Sequence, residues 1–99
     1  MGFSRMDYEA MLQIARTLSQ GAGDLAEYLG RAERAAQGIR DRCQSPFAEA
    51  LIARHEAWAR QGDHLRQALE ALAVDLARIV RAQQAAEEET GARIGPIPE

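Results

Sequence analysis

A seven-residue recurrence of apolar side chains on each side of a single proline-marked break constrains this chain more than any other feature. Upstream, Met11, Leu18, Leu25, Ala32 and Ile39 stand seven apart, and Tyr8, Ala15, Ala22, Leu29, Ala36 and Cys43 form a second row offset by four. Downstream, Leu51, Trp58, Leu65, Leu72, Ile79 and Ala86 form one row, and Phe47, His55, Gly62, Leu69, Leu76 and Gln83 the other. Such spacing keeps one stripe of a helix turned toward a partner helix, so both segments read as coiled-coil seams. The downstream seam weakens at His55, Gly62 and Gln83.

The break is Cys43-Gln44-Ser45-Pro46, in which a capping residue precedes a proline suited to the first position of a new helix. Ser4-Arg5-Met6-Asp7 has the spacing of a capping box, so a first helix is expected over about 6–43. A turn at 44–46 and a second helix over about 46–89 follow. Glu87-Glu88-Glu89-Thr90-Gly91 ends the periodicity, and Gly95-Pro96-Ile97-Pro98 cannot continue a helix, so 91–99 is expected to be a flexible C-terminal tail. Residues 1–90 then form one helical hairpin, with helices some 55 to 65 Å long at about 1.5 Å per residue. Gly21, Gly23, Gly30, Gly38 and Gly62 lie inside these helices, where each costs about 1 kcal/mol against alanine, and they predict kinks or close helix contacts. If Gly21-Gly23 and Gln61-Gly62-Asp63 were true turns, the chain would instead be a compact three- or four-helix regulator.

Composition agrees with an all-α chain, since 20 of 99 residues are alanine and only five are aromatic. Twelve arginines against 15 acidic residues leave a net charge of -3, with no basic excess to hold a polyanion, so nucleic-acid binding is not expected. The absence of lysine reads as the codon bias of a GC-rich genome. Cys43 has no partner for a disulfide. No segment resembles a signal peptide or a membrane span, and the outward faces mix both charge signs, so membrane association is not expected.

No catalytic, cofactor-binding or metal-binding constellation emerges. His55 and His64 stand nine apart, about 180° round a helix, so one helix cannot offer both to a single metal. No His-Glu-x-x-His, nucleophile elbow or phosphate loop occurs. The charges read as a wet face, with Glu27–Arg31 and Glu56–Arg60 placed for favourable pairs within a helix.

Leu12, Ile14, Tyr28, Ile52 and Val80 lie beside the seam and widen it beyond what a lone hairpin buries. An antiparallel hairpin pairing with a second hairpin into a four-helix bundle would cover them. Phe47-Ala48-Glu49-Ala50, Trp58 and Leu65-Arg66-Gln67-Ala68-Leu69-Glu70-Ala71-Leu72-Ala73, in two long helices about a central turn, resemble the WXG family of Esx-like type VII secretion substrates. The likeness covers residues 6 to 89. It departs where the family's Trp-x-Gly turn is replaced by Cys43-Gln44-Ser45-Pro46, which leaves Trp58 as a helix anchor. The family's C-terminal export signal, Tyr-x-x-x-Asp/Glu, falls in register on Gln83 and Glu87, with the tyrosine missing.

That resemblance implies a small non-enzymatic protein that is cytoplasmic before export and secreted by a signal-peptide-independent type VII route. It implies a heterodimer with a paralogous hairpin that carries the tyrosine and engages the secretion ATPase. The expected dimer and core seam comprises Met11, Leu18, Leu25, Leu29, Ile39, Phe47, Leu51, Trp58, Leu65, Leu69, Leu72, Leu76 and Ile79. A cytoplasmic homodimeric adaptor unconnected with secretion is the alternative.

Overall fold

The computed structural model describes residues 3–94 and places two long helices against each other, α1 (Arg5–Arg42) and α2 (Pro46–Ile94). Local chemistry sets three of their four ends. Ser4 caps α1: its Oγ accepts the Asp7 N–H at 3.1 Å while Asp7 Oδ2 accepts the Ser4 N–H at 2.9 Å, which closes the expected capping box. The last turn of α1 ends as the Cys43 N–H donates to the Ile39 carbonyl at 2.8 Å. Beyond it, the ring of Pro46 pushes Ser45 out of helical geometry. Ser45 Oγ then accepts the Ala48 N–H at 3.1 Å, and Pro46 takes the first helical position, where its missing N–H costs nothing.

The fourth end differs from the sequence expectation. α2 does not stop near residue 89 but continues through Gly91 to Ile94. A glycine weakens a helix by about 1 kcal/mol without stopping it. Thr90 Oγ1 bonds back to the Ala86 carbonyl at 2.8 Å, as a residue inside a helix does. The rest of the expected tail, residues 95–99, lies outside the described residues.

Both helices run unbroken through Gly21, Gly23 and Gly62, which removes the compact multi-helix arrangement. The molecule is a rod of 83 × 15 × 15 Å. Its seam is mostly alanine: Tyr8, Ala15, Ala22 and Ala36 of α1 and Ala48, Ile52, Ala73 and Val80 of α2 are buried, Ala22 completely. Alanine at the contact lets helix axes approach toward the short end of the usual 8–10 Å range. Gly62 is the tightest point, since a Cβ there would stand 2.8 Å from Leu29 Cδ2. Gly21, Gly23 and Gly38 face open space and bring no close contact.

A seam of alanines buries little. The chain keeps 7821 Å² of accessible surface, where a compact monomer of its 10.9 kDa would present about 5,600 Å².

Candidate helix-pairing interface

On α1 the expected seam faces α2: Met11, Leu18, Leu25, Leu29 and Ile39 are all half-buried, beside the fully buried alanine row. On α2 the facing stripe lies one residue later than the leucine row. Ile52, Ala73 and Val80 of the row Ile52, Ala59, Arg66, Ala73, Val80 and Glu87 are buried and its other members half-buried. His55, Gly62, Leu69 and Leu76 lie between it and the leucine row, and the residue in step with them is buried Ala48. Phe47 is 77% exposed. One residue is about 100° on a helix, so the row Leu51, Trp58, Leu65, Leu72, Ile79 is turned off α1. These five side chains are 42% to 61% exposed. The physical reason is size: small residues let the helices close on each other, and the bulky row moves to the flank.

The displaced row is not alone there. Tyr28 of α1 stacks edge-on against Trp58, with ring centroids 5.7 Å apart, which puts the two flanks on one side of the hairpin. Nearer the turn, Ala32, Ala35, Ala36 and Ile39 share a shallow trough with Leu51, Ile52 and His55. Ile14, Gly21, Tyr28 and Ala35 recur every seven residues, so they continue this flank along α1. The outcome is one apolar face free of acidic and arginine side chains, with His55 as its one titratable neighbour, running along α1 from Met11 to Ile39 and along α2 from Leu51 to Ile79.

The opposite edge is ionic. Arg40 pairs with Glu56 across the helices, and Glu33 Oε2 lies 3.2 Å from Nε2 of His55, whose ring sits between the helices with Trp58 at 6.1 Å on its other side. Arg66 is clamped at 3.0 Å by both Asp63 and Glu70, and the Asp63 carboxylate foremost raises its pKa. The expected Glu27–Arg31 and Glu56–Arg60 pairs do not form; Glu56 turns to Arg40 instead.

Gln83 and Glu87 lie on α2, where Glu87 closes the open end of the hairpin. Its Oε1 accepts the Phe3 N–H at 3.1 Å and the Gln83 amide at 3.4 Å. The neighbouring Tyr8 hydroxyl, more than the other donors, holds the Glu87 carboxylate below its ordinary range. Burial, reinforced by the Glu87 charge, pushes the Tyr8 phenol up to about 12. The hydroxyl nonetheless makes no well-directed hydrogen bond, so the attraction is one of proximity. Phe3 packs edge-on against Tyr8 at 5.8 Å and completes the latch.

Among the described residues no three His, Cys, Asp or Glu side chains gather as metal ligands, and no helix is long and apolar enough to cross a membrane. Sequence reasoning missed Ala48 and Ala73 as seam residues; the signal was their seven-residue step with His55 and Gly62 and with Ile52 and Val80, which a search for large apolar rows passes over. No protein-family model, curated protein or solved structure matches the chain.

Proposed function

We propose that this chain is a non-enzymatic assembly protein, one half of a four-helix bundle completed by a second hairpin of the same build. The observation that carries this reading is the half-exposed, charge-free face of Tyr28, Leu51, Trp58, Leu65, Leu72 and Ile79 on one side of a rod whose own seam is mostly alanine. At about 25 cal/mol per Å², leaving such a face in water forgoes stabilisation that only a partner helix pair recovers along its full length. The WXG resemblance gives the assembly a destination, type VII export as a passenger. In that reading the paralogous hairpin supplies the tyrosine that Gln83 replaces and engages the secretion ATPase. Glu87, tied to Phe3 and Gln83, serves the hairpin itself.

Leu65→Asp tests the bundle by placing a charge at the middle of the face. In the presence of the second hairpin, the mass measured by light scattering is expected to fall to that of one chain, and an unchanged mass of the assembly would sink the reading. Export is tested in a host with the secretion apparatus. The chain is expected in the medium only when the paralogue is co-expressed, whereas export of the chain alone contradicts the passenger role.

A further inference from the structure

His55 occupies a position of α2 where Ala48, Leu69 and Leu76 stand in step with it, and only 14% of its side chain is exposed. Its Nε2 lies 3.2 Å from Glu33 Oε2, and an ionised carboxylate only accepts, so Nε2 carries the hydrogen. Among the described residues its Nδ1 has no hydrogen-bond partner. The ring stands 6.1 Å from that of Trp58, tilted 42° to it. It also walls the trough of about 230 Å³ whose remaining lining, Ala32, Ala35, Ala36, Ile39, Leu51 and Ile52, is wholly apolar.

The charged groups around the imidazole are few, and most are spent elsewhere. From α1, Glu33 reaches the ring, whereas Arg40 pairs with Glu56. On α2, Glu56 is thereby neutralised, and Arg54 borders a separate hollow with Phe47, Ala50 and Leu51. Tyr28 packs edge-on against Trp58.

We infer that His55 makes the turn end of the apolar face pH-sensitive, uncharged at about pH 8 and bearing a cation at about pH 5. Histidine changes charge between these limits. Because Nε2 is committed to Glu33, the added proton goes to Nδ1. One protonation thus creates a positive charge beside Trp58 and a donor for which the chain supplies no acceptor. Glu33 offsets the charge only in part, since 60% of its side chain lies in water. With the imidazole neutral, the trough suits an aliphatic or aromatic group. With it charged, the same wall calls for an acceptor, a water or a carboxylate. The consequence for assembly rests on the reading that a second hairpin covers the face. The side chain that hairpin lays in the trough sets how pairing responds to pH: an apolar one favours the neutral imidazole, an acidic one the charged form.

Trp58, the only tryptophan, reports the charge. Its fluorescence in the purified full chain is quenched with iodide, an anion, and with acrylamide, which is neutral, at about pH 8 and about pH 5.5 and constant ionic strength. Acrylamide accounts for exposure, so the ratio of the two quenching constants reads charge at the indole. The ratio is expected to rise about twofold on acidification, the scale on which a new unit charge 6.1 Å away draws in an anion at moderate salt. His55→Gln is expected to abolish the rise, and His64→Gln, at the other and exposed histidine, to leave it intact. A constant ratio in the unaltered chain, or an equal rise in His55→Gln, would overturn the inference. A second measurement needs no variant. In proton NMR spectra the Trp58 indole N–H is expected to move in step with the His55 ring signals across that range, and an indole signal that stays still would overturn the inference as well. Neither measurement uses a partner, so their failure leaves the half-bundle reading standing on its own test of mass.

Discussion

Gly62 and Gly23 occupy the same kind of backbone in very different surroundings. Gly23 is exposed, with nothing within 4 Å of where a Cβ would stand. Gly23→Ala therefore gains helix propensity at no steric cost and is expected to stabilise the hairpin by about 1 kcal/mol. Gly62→Ala makes the same gain, but its Cβ would stand 2.8 Å from Leu29 Cδ2, so Leu29 must swing aside or the helices must part. Thermal melts of the two variants are expected to show a clear rise for Gly23→Ala and little or none for Gly62→Ala. Equal gains would mean that Leu29 yields freely and that the seam is not tight there. The sequence shows both glycines interrupting a helix, but it cannot separate them, because the difference lies in what the opposite helix presents.

The two helices meet at their open end through Glu87, Tyr8 and Phe3, and this contact has a pH signature on both sides of neutrality. The Glu87 carboxylate is held below its ordinary range. The stability it contributes is thus fully present above its unfolded pKa and is lost as the pH falls through the folded one. Amide exchange of residues 3–8 is expected to quicken in acid before exchange at mid-helix does. The Tyr8 phenol is pushed from 10.0 up to about 12, so its contribution is present below pH 10 and fades as the pH rises through that interval. A difference titration at 295 nm against Tyr8→Phe reads that value directly, and ionisation near 10 would show that the hydroxyl is not enclosed. Of the ends of these elements, those set by Ser4, Ser45 and Pro46 were legible in the sequence because each rests on a local side-chain bond or a missing N–H. The end of α2 was not. Gly91 reads as a stop, yet nothing before Pro96 forbids the helix.

Across the whole molecule, seam and face make different demands on the same kind of residue. Leu69 is half-buried against α1 whereas Leu65 is exposed on the flank. Leu69→Asp is expected to cost helix content and mass together, since it puts an unpaired charge between the two helices. Leu65→Asp is expected to cost mass while most helix remains. Circular dichroism and light scattering on the two variants check this, and an equal loss of helix in both would show that α1 and α2 hold together only inside the bundle. The hairpin itself was legible from the seven-residue rows, but which α2 row faces α1 was not. Periodicity finds the angle at which large apolar residues cluster, and here close packing selected the small ones about 100° away. The rod's proportions carry over to how it moves through solvent. At 83 Å by 15 Å its length is about five and a half times its width, so drag on a single chain greatly exceeds that on a sphere of equal mass. A lone hairpin leaves a gel-filtration column early, in the volume of a larger globular protein, while two hairpins laid side by side gain thickness with little added length. Elution volume thus compresses the difference between one chain and two, and scattered light resolves it.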